Sequence, residues 1–227
     1  MPPRRTRLQK CLDLLADHQG PLTGGPPADP WAAILWENVV YLTDEARRDD
    51  AFAALTRATK LQPERLLAAT DAELLPISGK GKMAQDQAQK LRDCARLFLE
   101  VGDPRQLVTL PEAKAMARLQ EFPGIGEPGA ERLRLFAGQG AALALESNGL
   151  RTLQRLGYGE DLGDYRRSYR ASQAAAAEEL DDDGKARVDA YLRLRRHGQQ
   201  QCRKKPLCDS CPLQNHCDAR RGDGMNH

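Results

Sequence analysis

Four cysteines crowd the end of the chain. Cys202, Cys208, Cys211 and Cys217 are spaced C-x5-C-x2-C-x5-C within sixteen residues, while Cys11 and Cys94 stand singly in helical patterns. That asymmetry points to a metal centre with two bystander thiols rather than a disulfide framework. Structural zinc usually joins two close ligand pairs across a longer segment, whereas here one close pair is flanked symmetrically by single thiols. Four thiolates wrapping one compact loop suit a [4Fe-4S] cluster ahead of zinc. Arg193, Arg195, Arg196, Arg203, Lys204 and Lys205 surround the start of this loop. They either present a basic surface to nucleic acid or offset the thiolate charge, and both roles are compatible.

A second stretch with chemical potential is FPGIGEPGA, Phe122 to Ala130. One apolar-periodic segment runs up to the Pro123-Gly124-Ile125-Gly126 turn, and another starts at once with Ala130, Leu133, Leu135 and Phe136. Two short helices joined by a glycine turn are the outline of a helix-hairpin-helix. Glycines let the backbone turn tightly and approach a partner closely, and the N–H groups opening the next helix attract an anion. Gly124, Ile125 and Gly126 are therefore candidate contacts to a DNA phosphate, with an ordinary helical hairpin as the bland alternative.

Two further places carry polar groups where a pattern breaks. Trp31 to Thr43 reads as a helix apolar almost all round, except for Glu37 and Asn38. A carboxylate on a buried helix must be paired or line a polar cavity, so these two either face a substrate pocket or mark a solvent side. Ser78-Gly79-Lys80-Gly81-Lys82 interrupts the helical pattern just before a long amphipathic segment, Ala84 to Val101. Lys80 and Lys82 on glycine hinges can contact phosphate, although such loops are more often merely solvated.

The elements that position these groups all read as helices. Stripes run from Arg7 to His18, Ala51 to Lys60, Pro63 to Ala69, Ala72 to Ile77, Gly149 to Leu156, Tyr165 to Glu179 and Lys185 to His197. No strand pattern and no fixed-period repeat is visible, so the expected fold is all-α. The organisation expected is an N-terminal helix and linker over 1–29, a helical domain with the hairpin over 30–136, a cysteine-loop domain over 137–217 and a flexible tail over 218–227. Hydrophobic content of 41% and charged content of 29% describe a globular chain without a membrane-length apolar run. The basic N-terminus has no apolar signal core behind it, so a cytoplasmic location is expected. A net charge of +2 neither demands nor excludes nucleic acid.

Taken together, the hairpin, the ALALESNGLRTL segment and the terminal cysteines resemble the endonuclease III branch of the helix-hairpin-helix DNA glycosylase superfamily, over nearly the whole chain. The resemblance implies two helical domains with double-stranded DNA across the cleft, a hairpin gripping the backbone and a target nucleotide flipped into a pocket between the domains. It implies a monomer, an N-terminal helix joining the cluster domain, ligation of the cluster by the four C-terminal cysteines, and a pocket near Glu37, Asn38 or Tyr41. The family's catalytic aspartate falls on Glu146, whose carboxylate would stabilise the cationic sugar. Glutamate sets that charge farther out by roughly 1.5 Å, a shift that can matter when misplacement by about 1 Å loses about 10²-fold in rate. Capping of the following helix is the alternative role for Glu146, and one residue can do both.

Pro128 stands where bifunctional members carry the lysine that attacks the sugar, so no lysine-dependent lyase step is expected from this position. The first two loop thiols are also one residue closer together than in the family. The expected function is that of a monofunctional DNA N-glycosylase. The rival is a catalytically inactive relative that recognises DNA structure, and a third reading borrows Lys80 or Lys82 as a nucleophile.

Overall fold

The computed structural model describes residues 5–140 and 142–223; Ala141, which opens the expected apolar strip, and residues 1–4 and 224–227 lie outside them. The described helices are α1 (Arg7–Gln19), α2 (Pro30–Asn38), α3 (Glu45–Thr59), α4 (Pro63–Ala68), α5 (Asp71–Ser78), α6 (Ala84–Val101), α7 (Pro104–Leu107), α8 (Glu112–Leu119), α9 (Glu127–Phe136), α10 (Ser147–Arg155), α11 (Tyr165–Ala177), α12 (Gly184–Gln200) and α13 (Asp218–Asp223). The sole β-type pairing among the described residues is an isolated antiparallel bridge between Tyr41 and Lys82. The fold is all-α, as the sequence predicts. No described helix is long and apolar enough to cross a membrane.

The chain divides into two compact units, one of Gly24–Gln139 and one formed by the described residues before and after it. In the first, α2 is the central element. Asp29 caps it by accepting from Ala32 N at 2.8 Å, with Pro30 at the first helical position. Trp31, Ile34, Leu35 and Val39 are fully buried, and Leu55, Leu66, Leu74 and Leu91 from the surrounding helices close over them. The buried indoles keep their donors satisfied: Trp31 Nε1 donates to Leu61 O at 2.7 Å and Trp36 Nε1 to Asp49 Oδ1 at 2.8 Å.

Helix α2 ends at Asn38, five residues earlier than its hydrophobicity suggests. Arg48 from α3 donates to the carbonyls of Trp36 and Glu37, both at 3.0 Å, and so satisfies acceptors that a longer helix would have used internally. The chain then turns through Leu42, at φ +48°, into the bridge with Lys82. Helix α6 has the bounds its amphipathic stripe predicts, with Ala88, Leu91, Cys94 and Ala95 buried.

The same unit holds the hairpin. Phe122 to Ile125 form a tight turn in which Ile125 N donates to Phe122 O at 3.1 Å and Gly124 sits at φ +72°. Proline second and glycine third is the chemistry of a type II turn. The turn is tied to the core by Asn38, whose amide donates to Pro123 O at 2.7 Å and to Ile34 O at 3.0 Å.

In the second unit α1 buries the stripe Leu8, Cys11 and Leu15. Glu179 anchors its start, accepting from Leu8 N at 2.7 Å and from the Tyr158 hydroxyl at 2.9 Å. Helices α10 and α12 pack so closely that a Cβ on Gly198 would stand 2.3 Å from Asn148 O. Where a flexible tail is expected from residue 218, Asp218–Asp223 is helical, and Asp218 is ion-paired with Arg7 at 2.6 Å.

Two substitutions test these contacts. Gly198→Ala forces α10 and α12 apart and should cost about 1–3 kcal/mol, read as a lowered urea midpoint; an unchanged midpoint contradicts the packing. Asn38→Ala strands the Pro123 carbonyl and should also cost about 1–3 kcal/mol, with faster amide exchange at Ile125.

Candidate functional site

The hairpin brings Gly124 and Gly126 to the surface, whereas Ile125 is only 4% exposed and packs its side chain beside Gly129. Ile125 can therefore offer a partner its backbone alone. Gly126 is the N-cap of α9, which puts Glu127 and Pro128 in its first turn. A helix start with exposed N–H groups attracts an anion. Here proline removes one N–H donor and Glu127 adds a carboxylate, so the anion site is weaker than its glycines alone suggest. Pro128 supplies no nucleophile.

The pocket candidates on α2 are committed to the scaffold. Asn38 is buried and spent on the hairpin, and the Glu37 carboxylate is ion-paired with Arg132 of α9, a guanidinium almost wholly buried. The polar face of α2 thus meets α9 and the hairpin. Tyr41 lies beyond the helix, 44% exposed, and its carbonyl accepts from Lys82 N at 2.8 Å. That bond joins two candidates far apart in sequence, Tyr41 and the Lys80–Lys82 loop. The join requires Gly81, where a Cβ would stand 2.5 Å from Tyr41 O. Lys80 and Lys82 are both exposed.

The sequence reading missed the residues next to this bridge. Leu42 and Met83 are exposed large apolar side chains held at φ +48° and +57°. Left-handed backbone at residues other than glycine costs about 1–3 kcal/mol and clusters at functional sites. The signal was hidden because the apolar run of α2 reads as helix through Thr43.

Glu146 is the N-cap of α10: Oε1 accepts from Gly149 N at 2.7 Å and Oε2 from Asn148 Nδ2 at 2.7 Å. Asn148 Oδ1 accepts in turn from Arg151 at 2.7 Å, and Arg151 also donates to Gly198 O at 2.8 Å and, through Nε, to Cys202 O at 2.9 Å. The carboxylate thus belongs to a hydrogen-bonded chain that reaches the backbone of the cysteine loop. Tyr165 lies within electrostatic reach, its hydroxyl pushed above the ordinary tyrosine range chiefly by partial burial and then by the charges of Glu146 and Tyr191.

All four C-terminal cysteines line one cavity of about 490 Å³, together with Arg155 and His197. Among the described residues no three His, Cys, Asp or Glu side chains converge on a point where one ion could bind. Arg155 donates to Cys202 Sγ at 3.3 Å and holds the carbonyls of Arg203 and Lys204 at 2.6 and 3.2 Å, which leaves the exposed side chains of Arg203, Lys204 and Lys205 on a pinned backbone. His197 Nε2 stands 3.7 Å from Cys211 Sγ, and burial, aided by His18, lowers that imidazole to about 4. Burial first, and then the nearness of the other three thiols, pushes the Cys211 thiol up. A bound metal centre would hold these four side chains as thiolates by supplying the cationic charge they need. By contrast, burial raises both Cys11, to about 11, and Cys94, as expected of inert thiols.

Neither a protein-family model nor a curated protein matches the sequence. Solved structures do match the fold. A non-covalent endonuclease III–DNA complex aligns with a TM-score of 0.73 at 18% identity, covering 98% of this chain and 100% of that one. A trapped endonuclease III–DNA covalent intermediate aligns at 0.71 and 18%, covering 97% and 100%. A thermostable thymine-DNA glycosylase aligns at 0.72 and 15%, covering 95% and 97%. With a glycine hairpin between α8 and α9, the chain shares the fold of these endonuclease III and thymine-DNA glycosylase structures.

Proposed function

We propose that this protein is a DNA-repair enzyme that binds duplex DNA and hydrolyses the N-glycosidic bond of a damaged or mispaired base, without a lysine-dependent cleavage of the strand. The observation that carries the reading is Glu146, a carboxylate fixed in direction by Gly149 N–H and the Asn148 amide at the start of α10. A preorganised negative charge of this kind stabilises the positive charge that develops on the sugar as the base leaves, and can orient the attacking water. Pro128 removes the amine that would form a Schiff base.

DNA binding is supported by several cationic elements. Lys80 and Lys82 stand on a loop locked by Gly81, and Arg203, Lys204 and Lys205 on one pinned by Arg155. Met83, exposed and next to Lys82, and Leu42, exposed and next to Tyr41, are each suited to serve as an apolar wedge entering a base step, the means by which many proteins unstack and kink a duplex. The α9 hairpin adds a backbone contact moderated by Glu127.

The spacing of Cys202, Cys208, Cys211 and Cys217, with all four thiols lining one cavity, supports a [4Fe-4S] cluster ahead of a single zinc. When bound, the cluster would cross-link the loop and offset part of the thiolate charge. Arg155 and His197 would orient two of its ligands.

A non-catalytic protein that recognises DNA structure is the second reading, favoured because both Glu146 oxygens are already engaged in the helix cap.

Glu146→Gln discriminates the two. The amide oxygen can keep the Gly149 cap, so DNA affinity should stay within about twofold while single-turnover base release from a panel of lesion-bearing duplexes falls about 10²-fold or more. No release by the wild type, or equal release by the variant, contradicts the enzyme reading. For the cluster, anaerobically purified protein should contain iron and acid-labile sulfide in equal amounts. Serine at any of the four C-terminal cysteines should deplete both, whereas Cys11→Ala and Cys94→Ala should not. Stoichiometric zinc in place of iron overturns the assignment.

A further inference from the structure

Helix α11 opens with an aromatic pair for which neither the cap nor the cysteine centre has a use. Tyr165, its first residue, is 50% exposed, whereas Tyr169, one turn later, is fully buried. Their rings stack at 6.2 Å with 24° between planes, the spacing of side chains four apart on a helix. Tyr169 is held from behind: its hydroxyl accepts from Gln173 Nε2 at 3.3 Å, and the same amide donates to Leu143 O at 3.1 Å. Arg170 lies over the Tyr169 ring at 5.9 Å. One tyrosine is therefore a fixed shelf and the other rests on it, partly open to solvent.

The surroundings separate this residue from an ordinary exposed aromatic. Tyr165 borders an open cavity of about 340 Å³, shared with Ser147, Leu150, Arg151, Gln154 and Asp161. That volume is at the low end for small-molecule sites, about 300–1,000 Å³, and has room for a single planar base. Ser147 follows Glu146 in the chain and Arg151 holds Asn148, so the cavity adjoins the Glu146 cap. Arg151 is the guanidinium that lines the cavity, with the Gln154 amide and the Ser147 hydroxyl beside it. Asp161 also lines it and accepts from Gly163 N at 3.0 Å, while Asp164 caps α11 by accepting from Arg167 N at 2.8 Å. A supported aromatic face with a guanidinium, an amide and a hydroxyl at the rim is the chemistry that binds an unpaired nucleobase by stacking and hydrogen bonding.

We propose that Tyr165, shelved on Tyr169, is a stacking platform for an unpaired base of bound DNA beside Glu146. The assignment rests on the DNA-binding reading above and adds a base-contacting site to it.

The test uses the full-length protein with two duplexes of equal length, one carrying a single unpaired 2-aminopurine and one fully paired with the fluorophore internal. Affinity is read by anisotropy from an end label, stacking by 2-aminopurine emission, and folding by circular dichroism. Wild type should quench the unpaired probe on binding and prefer that duplex. Tyr165→Ala should lose the quenching and about tenfold of the preference, consistent with the value of one base–aromatic stack, and Tyr165→Phe should retain both. A Tyr165→Ala variant that quenches and discriminates as wild type does overturns the platform while leaving DNA binding intact. Equal weakening toward both duplexes overturns it too, because a general backbone contact would then explain the loss. If the wild type binds neither duplex, the DNA-binding reading itself fails, and the platform with it.

Discussion

One guanidinium, that of Arg151, ties together the Glu146 cap, the packing of α12 and the cysteine loop. It donates to Asn148 Oδ1, to Gly198 O and to Cys202 O, so a single side chain on α10 fixes the partner of the Glu146 carboxylate, the close approach of α12 and the first residue of the cysteine loop. Hydrogen bonds from a charged donor contribute about 1.5–3 kcal/mol each, and this half-buried network engages three acceptors with one side chain. The geometry depends on Gly198, because any side chain there would collide with Asn148 O. The carboxylate and the loop therefore share one support rather than two independent ones.

The DNA-facing reading of the other unit depends on a balance of charge. A glycine turn at the start of a helix is a ready anion site, but Glu127 and Pro128 weaken it from within. In the proposed function the lysines of the 78–82 loop and the basic run at 203–205 therefore carry more of the salt-dependent affinity than the hairpin does. The Glu37–Arg132 pair and the Asn38–Pro123 bond hold the turn in shape.

Much of this architecture was legible in the sequence because periodicity reports burial directly. The stripe of α6 gave its two ends, and the Asp29-Pro30 start of α2 followed from capping chemistry. The end of α2 was not legible, since a uniformly apolar run carries no stop signal and the residue that ends it, Arg48, acts from the next helix. For the same reason Leu42 and Met83 were hidden inside expected helices or beside a loop. Glu37 and Asn38 break the apolar pattern of α2, but their partners, Arg132 and Pro123, lie far along the chain and no local pattern names them. The Tyr165–Tyr169 pair likewise reads as two ordinary helical aromatics until burial separates them into platform and support.

In the proposed function a base is removed by hydrolysis with no amine nucleophile. The most direct measurement follows the integrity of the labelled strand after a single turnover, with and without alkali, on any duplex from which the protein releases a base. An intact strand that breaks at the released position only after alkali is expected, with no covalent protein–DNA adduct on adding borohydride. Strand breakage without alkali together with a borohydride-trapped adduct would contradict it and place an amine from elsewhere in the chain at the sugar.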